Sequence, residues 1–305
     1  MQVHALKFNP KKLVKVIVVG AGGTGSSLLT YLTDVHKCMV ALGGEGLMVH
    51  AFDDALISSV NVIRQNYSPA EVGRNKAISL ITRINLSVGC AWRAYPVRCV
   101  QDHVQEIRPD VLITCTDTRV SRQSLGTWAA QLRVPYWIDT GNSVHTGQVI
   151  LSEPGVFGPH LPSPIETHGA HLKDKTEDGP SCSALEALSR QDLMINREVA
   201  LQATRLIWRL LADGSTESRG CYVDTRSGQV MPLPVEAGMV KKDMVSVGLI
   251  VPEVQPVKKE KPEKVKRPAE NVAAKKQPPV KQKAAPMTAK KQPAGQKPVT
   301  DPVGL

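Results

Sequence analysis

The sequence predicts an α/β fold built on a doubly wound, mostly parallel sheet. One observation is local: the apolar run Leu13–Val19 is followed by the turn Gly-Ala-Gly-Gly-Thr-Gly at 20–25 and by a helix-like stretch, Ser26–His36. The other is global: short β-rich runs alternate with helical patterns along the first half of the chain. This alternation is typical of repeated βαβ units, which place helices on both faces of a parallel sheet.

The elements follow from their apolar patterns, with period 2 or continuous β-branched runs for strands and period 3.6 for helices. The predicted strands are Leu13–Gly20, Leu47–Asp53, Ala91–Arg98, Asp110–Thr116, Val134–Thr140 and Gly147–Ser152. The predicted helices are 24–36, 69–85 and 119–132, with one or two more in Ser183–Leu211. A hairpin that turns at Ser227-Gly228 is predicted over Cys221–Val235.

Charge and proline content divide the chain near residue 251. Residues 252–305 hold thirteen Lys or Arg, five Asp or Glu, ten prolines and no aromatic residue, so a disordered tail is predicted. Residues 1–251 carry only about +2 of the net charge of +10 and are predicted to form the folded domain. The tail is expected to contact nucleic acid or an acidic partner weakly. Within the domain, the proline-rich residues 153–181 predict a long mobile loop.

Cysteine usage and hydropathy point to a reduced compartment. The six cysteines include no C-x-x-C pair, so no zinc site is predicted. No apolar run reaches the roughly 18–20 residues of a membrane helix, and the first ten residues lack the apolar core of a signal peptide. We therefore expect a cytoplasmic protein with no membrane partner.

The glycine turn between the first strand and the first helix predicts a nucleotide site. Gly20 permits a tight turn, Gly22 lets backbone amides approach a phosphate, and Gly25 lets the helix pack close to the strand. Asp53 and Asp54 end the second predicted strand, where a carboxylate binds a ribose hydroxyl. These features support an NAD-dependent enzyme and an ATP-using enzyme equally.

Three charged residues downstream favour ATP. Arg64 and Lys76 follow the acidic pair closely, and several phosphate charges must be neutralised when a triphosphate reacts. Asp117 closes a buried strand, at the edge of a doubly wound sheet where ligands bind. It is therefore placed to hold Mg²⁺, which prefers oxygen ligands and bridges phosphates.

Five motifs occur in order: GAGGTG, DD…SSVNVIRQ, VGRNK, TCTDTR and GNSVHTGQV. Over about residues 14–212 this set resembles the ThiF, MoeB and ubiquitin-activating superfamily. The resemblance implies a Rossmann-like ThiF fold and ATP- and Mg²⁺-dependent adenylation of the C-terminal carboxylate of a small ubiquitin-like protein. With PSCSALEALSRQDLMIN and the tail, the chain is also similar to ThiF-related members of the PRTRC plasmid cassette. That similarity implies a bacterial mobile element.

The resemblance also assigns residue roles. It implies that either Asp53 or Asp54 binds the ribose, and that Asp117 holds Mg²⁺. The other residues expected to bind ATP are Gly20, Gly22, Gly23, Gly25, Asn61, Arg64, Gln65 and Lys76, of which Arg64 and Lys76 act in catalysis. Cys182 is expected either to take the acyl group as a thioester or to be a small apolar residue at a helix start.

One departure from the family pattern keeps other functions open. Relatives donate an N-terminal arginine across a homodimer, but residues 1–13 contain no arginine, so either another residue such as Lys11 or Lys12 serves or this contribution is missing. A homodimer is still expected. The alternatives are an NAD-dependent oxidoreductase and a non-catalytic nucleotide-binding adaptor on a mobile element.

Overall fold

The computed structural model describes residues 2–156, 160–167 and 191–236. Its strands are β1 (His4–Ala5), β2 (Val14–Val19), β3 (Leu47–Phe52), β4 (Arg93–Tyr95), β5 (Val111–Thr114), β6 (Tyr136–Asn142), β7 (Thr146–Ser152), β8 (Ser215–Thr216), β9 (Ser218–Asp224) and β10 (Gln229–Pro234). Its helices include α1 (Gly23–Ala41), α2 (Asn61–Arg64), α3 (Lys76–Val88), α4 (Gln101–Ile107), α5 (Arg119–Gln131) and α6 (Ile195–Ala212).

Eight strands form one sheet in the order β10-β9-β7-β6-β5-β2-β3-β4. The five strands from β6 to β4 run parallel, whereas β7, β9 and β10 pair antiparallel. This arrangement confirms the predicted mostly parallel α/β fold. The direction of winding reverses at β2, which pairs with β3 on one side and β5 on the other. In such sheets the reversal opens a crevice at the carboxyl ends of the strands.

Both faces of the sheet are covered, because side chains of β2 alternate between two apolar layers. Val16 and Val18 join the layer that contains α1 and α6, whereas Ile17 and Val19 join the layer that contains α4 and α5. All four valine and isoleucine side chains are buried. Burial on both faces explains why every residue of the strand except the exposed Lys15 is apolar.

The predicted helix over 69–85 is wrong at its start. Residues Pro69–Glu71 form a 3₁₀ turn, and α3 begins only at Lys76. Gly73 has a φ of +84°, a left-handed conformation that interrupts the helix. Asn75 then caps α3, since its side-chain oxygen accepts a hydrogen bond from the amide of Ile78. The sequence pattern showed the helical period but not this break.

Other predicted elements differ in extent. The strand predicted over Ala91–Arg98 is only Arg93–Tyr95. The backbone of Trp92 is hydrogen-bonded to the side chain of Asn85 before the strand, and Pro96 has no amide hydrogen to extend the pairing after it. The short, polar α4 and the pairing of β1 with β8 were not predicted. The hairpin is confirmed, with β9 and β10 antiparallel.

Within the described residues, no helix combines the length and the apolar character needed to cross a membrane.

Part of the predicted mobile loop over 153–181 is described, and this part is packed. Leu161 is completely buried, and its amide donates to the carboxylate of Glu153 at 3.0 Å. The Glu153 amide in turn donates to the carbonyl of Leu161 at 2.9 Å. The rest of that loop and the predicted tail, 252–305, lie outside the described residues. The domain boundary near 251 therefore stays a prediction.

Candidate functional site

A cavity of about 400 Å³ opens at the carboxyl ends of β2, β5 and β6, where the winding reverses. Residues from the first turn of α1, from α2, from the start of α3 and from the segment after β5 contribute to its wall. Six residues that were singled out from the sequence line this cavity: Gly23, Asn61, Arg64, Gln65, Lys76 and Asp117. These six residues, which are separated by up to 94 positions in the sequence, thus face one cavity.

The glycine loop is packed tightly beneath the cavity. Gly20 has a φ of +94°, and a Cβ there would lie 2.5 Å from the carbonyl oxygen of Cys115. A Cβ on Gly25 would lie 1.9 Å from the carbonyl oxygen of Gly20. Gly22 differs, since a Cβ there would meet no atom within 4 Å. Gly20 and Gly25 are therefore required for the turn, and Gly22 borders open space above the start of α1.

Replacing Gly25 with alanine is expected to destabilise the fold by about 2 kcal/mol or more, because the added methyl group overlaps a backbone oxygen. Gly22→Ala is the matched control, and we expect it to change stability far less since its Cβ has room. Denaturant unfolding of both variants measures the difference. Equal losses in the two variants would contradict this packing.

The two acidic residues after β3 have different surroundings. Asp53 lies beneath the glycine loop, where Oδ2 accepts from the amide of Ala21 at 2.6 Å and Oδ1 from the amide of Ala55 at 2.9 Å. Asp54 forms an exposed ion pair with Arg98 at 2.8 Å. The sequence left the choice between the two open; Asp53 is hydrogen-bonded to the glycine loop, and neither carboxylate is among the residues that line the cavity.

The helix α2 brings Arg64 to the cavity, with Asn61 one turn before it and Gln65 just after it. The guanidinium of Arg64 donates a hydrogen bond to the carboxamide of Gln191. Burial lowers the pKa of Arg64, and the nearby charge of Asp192 opposes this shift. The arginine is thus held at the cavity wall by residues that are distant in sequence.

Lys76 reaches the cavity because the start of α3 is tied to the end of β3 and to the glycine loop. The side-chain amide of Asn75 donates to the carbonyl of Asp53 at 2.8 Å. The buried hydroxyl of Tyr67 donates to the carbonyl of Ala21 at 2.7 Å and lies 3.4 Å from the carbonyl of Lys76. These contacts fix the loop, Asp53 and Lys76 relative to one another.

Asp117 presents a carboxylate to the cavity just before α5, which Thr118 caps by accepting from the amide of Ser121. The residue is exposed at the cavity mouth, but the surrounding protein still raises its pKa by desolvation. Lys76 opposes this shift, and the charge of Asp53 adds to it. Two carboxylates and a lysine therefore act on one another here, and a bound cation would relieve the repulsion between the carboxylates.

The structure adds a buried ion pair that the sequence analysis missed. Asp139 on β6 has no exposed surface, and it accepts two hydrogen bonds from Arg122, one of them from Nε at 2.9 Å. The hydroxyl of Thr114 donates to the same carboxylate at 2.7 Å. Arg122 lines the cavity. The available signal was an aspartate inside the otherwise apolar strand VPYWIDT.

Cys115 and Cys182 differ in what the structure shows about a role as nucleophile. Cys115 is buried just after β5, where desolvation raises the pKa of its thiol to about 12 and so disfavours the reactive thiolate. Cys182, the predicted acyl acceptor, lies outside the described residues.

The chain matches known proteins over most of the described sheet. The profile of the ThiF family matches residues 11–224. The adenylyltransferase and sulfurtransferase UBA4 of Meyerozyma guilliermondii is 32% identical over 141 residues, which are 44% of this chain and 30% of that protein. UBA4 of Eremothecium gossypii is 30% identical over 122 residues, 39% of this chain and 26% of that protein. These matches span less than a third of each relative's length.

Solved structures share the fold at low identity. The crystal structure of E. coli MccB with ATP aligns with a TM-score of 0.53 at 14% identity, covering 76% of this chain and 66% of that one. A crystal structure of PaaA aligns with a TM-score of 0.50 at 14% identity, covering 73% and 64%. Because the family profile spans more than two thirds of the 305 residues, this chain belongs to the ThiF family.

Proposed function

We propose that this chain adenylates the C-terminal carboxylate of a small ubiquitin-like protein, using ATP and Mg²⁺. The observation that carries the proposal is the placement of Arg64, Lys76 and Asp117 around one cavity beside the glycine loop. Membership of the ThiF family and the similarity to adenylyltransferases support this activity. An NAD-dependent oxidoreductase does not react at a triphosphate, so it has less need of two cationic side chains and a carboxylate around this cavity.

The cavity has the chemistry of a metal–nucleotide site. The space above Gly22 is open at the start of α1, whose N-terminus no described side chain caps. Within the described part of the chain, Oε1 of Gln65 and Oγ1 of Thr116 are buried without a hydrogen-bond partner. Ribose hydroxyls or metal-bound water would satisfy such atoms. The open start of α1 and these unpaired oxygen atoms therefore fit ATP with Mg²⁺ held by Asp117.

The reaction needs positioning more than proton transfer. An oxygen of the partner's carboxylate attacks the α-phosphorus of ATP, and the bond from this phosphorus to the oxygen bridging to the β-phosphate breaks. Pyrophosphate leaves with that electron pair, and the acyl group becomes linked to AMP. The carboxylate is already ionised, so no general base is required. Arg64 and Lys76 would neutralise phosphate charge, and Asp117 would hold Mg²⁺, which supplies further charge neutralisation.

The test is ATP–pyrophosphate exchange with the full chain and a ubiquitin-like protein from a neighbouring gene. We expect labelled pyrophosphate to enter ATP only when that protein is present. The same protein without its last two residues is the matched control and should support no exchange. If no ubiquitin-like protein supports exchange and the chain binds NAD⁺ regardless of ATP and Mg²⁺, the oxidoreductase alternative is favoured.

A transfer to Cys182 would form the second step of this proposal. Its thiolate would attack the acyl carbonyl, AMP would leave, and a thioester would remain. A conjugate band that dithiothreitol removes, and that Cys182→Ala lacks, tests this step. We further propose a PRTRC-type setting, in which the tail over 252–305 adds weak electrostatic contacts.

We also propose a homodimer. Exposed apolar side chains lie on and before α3, including Ile63, Val72, Ile78 and Leu86, and they are available for contact with a second copy. Light scattering of the full chain tests the dimer. Exchange by mixtures of variants would show whether a basic residue acts across it.

A further inference from the structure

The first turn of α6 brings a buried asparagine, Asn196, to the glycine loop. A Cβ on Gly23 would lie 2.7 Å from both Cγ and Nδ2 of Asn196. Gly23 is the first residue of α1, the end of a helix from which unpaired backbone amides point toward an anion. Asn196 therefore packs against the start of α1, and it lines the cavity.

The hydrogen bonds of Asn196 use only one end of its carboxamide. Its Oδ1 accepts from the hydroxyl of Thr24 at 3.2 Å and from Nδ2 of Asn142 at 3.1 Å. A carboxamide also carries two N–H donors. Among residues 2–156, 160–167 and 191–236, no acceptor lies within hydrogen-bond distance of Nδ2. Since Asn196 lines the cavity, its N–H donors are available to an acceptor on a molecule bound there.

We infer that Asn196 contacts the nucleotide directly, with Nδ2 donating a hydrogen bond to a phosphate oxygen above the glycine loop. The inference rests on the nucleotide site of the proposed function, but not on adenylation, since the pyrophosphate of NAD⁺ would be held in the same way. A phosphate is favoured over a ribose hydroxyl because the start of α1, Arg64 and Lys76 border the same cavity.

A matched control lies on the same helix. Gln202 is also buried, and its carboxamide donates to Glu198 at 2.7 Å and accepts from Arg205 at 3.3 Å. It lines a different groove, between α6 and β9, and does not line the nucleotide cavity. Gln202→Ala therefore removes a buried carboxamide from α6 without touching the glycine loop.

The experiment is calorimetric titration of the full-length wild type, Asn196→Ala, Asn196→Asp and Gln202→Ala with ATP, NAD⁺ and adenosine. We expect the Kd for ATP to rise about tenfold in Asn196→Ala, the range for a hydrogen bond to a charged group. The rise should be larger in Asn196→Asp, which keeps the acceptor for Thr24 and Asn142 and replaces only the donor. The affinity for adenosine should stay nearly unchanged in all variants, and Gln202→Ala should bind ATP as the wild type does.

The other possible results of this titration distinguish the Asn196–phosphate contact from adenylation. The phosphate contact is wrong if Asn196→Ala lowers the affinities for adenosine and ATP equally, or if Asn196→Asp binds ATP as tightly as the wild type does. Adenylation would still stand in that case, provided that the wild type catalyses ATP–pyrophosphate exchange. If the wild type binds NAD⁺ and not ATP, and Asn196→Ala lowers the affinity for NAD⁺, then adenylation is wrong but the contact of Asn196 with a phosphate is supported. If Asn196→Ala does not fold, the isosteric Asn196→Asp decides. If the wild type binds neither phosphate ligand, both statements fail.

Discussion

Replacing Asp117 with asparagine is expected to lower partner-dependent ATP–pyrophosphate exchange about 100-fold or more, the cost of losing one preorganised electrostatic group at a reacting phosphate. Asparagine keeps the shape of the side chain but removes the negative charge that would hold Mg²⁺, a hard cation that binds carboxylates well. Initial rates of exchange at saturating ATP and excess Mg²⁺ measure this loss.

The same variant should not be less stable than the wild type. Desolvation raises the pKa of Asp117, Lys76 opposes this, and Asp53 adds to it. Because the pKa is raised on folding, ionisation of this group disfavours the folded state once the pH exceeds the pKa in the unfolded chain. At neutral pH the neutral amide should therefore leave the unfolding midpoint unchanged or raise it. A loss of exchange together with earlier unfolding would indicate a structural role instead.

Asp54→Asn is the matched control for the Asp117 variant. Asp54 also follows a parallel strand, but it forms an exposed ion pair with Arg98 and does not line the cavity. Exposed pairs of this kind contribute little to stability. We expect near wild-type exchange in Asp54→Asn, and equal exchange in Asp117→Asn and the wild type would contradict the proposed metal site.

The fold was predictable because its main signals are local. The run Leu13–Val19 is apolar apart from Lys15 because β2 is buried on both faces, and the next residues carry the glycines that the turn requires. Gly20 needs its left-handed φ, and Gly25 needs the space beside the Gly20 carbonyl. Both requirements act within six residues, so the sequence pattern records them directly.

The parts of the site that depend on long-range contacts were not predictable. Asn196 lies 173 positions after Gly23, and its place in an amphipathic helix does not indicate that it touches the loop. The different surroundings of Asp53 and Asp54 depend on a hydrogen bond from the Ala21 amide to Asp53 and on the pairing of Asp54 with Arg98. A local pattern contains no information on such pairings, whereas the fold brings them together.

Replacing Asp139 with alanine is expected to lower the free energy of unfolding by about 3–5 kcal/mol, the cost of breaking a buried ion pair at one partner. Burial alone would lower the pKa of Arg122, but its hydrogen bond to Asp139 and the charge of Asp139 outweigh burial and raise that pKa. Without Asp139, the guanidinium stays largely buried with its charge uncompensated, and the Thr114 hydroxyl loses its acceptor. Denaturant unfolding measures the change.

An exposed ion pair in the same chain separates the effect of burial from that of charge. Asp54→Ala removes the partner of Arg98, both side chains being at least half exposed, so its expected cost is about 1 kcal/mol or less. Asp139→Asn should fall between the two alanine variants, since it keeps an acceptor for Thr114 and loses only the charge. If Asp139→Ala and Asp54→Ala lower the free energy of unfolding by similar amounts, water must hydrate the Arg122 guanidinium once its partner is removed. Because Arg122 lines the cavity, Asp139→Ala should also weaken ATP binding, which Asp54→Ala should leave unchanged.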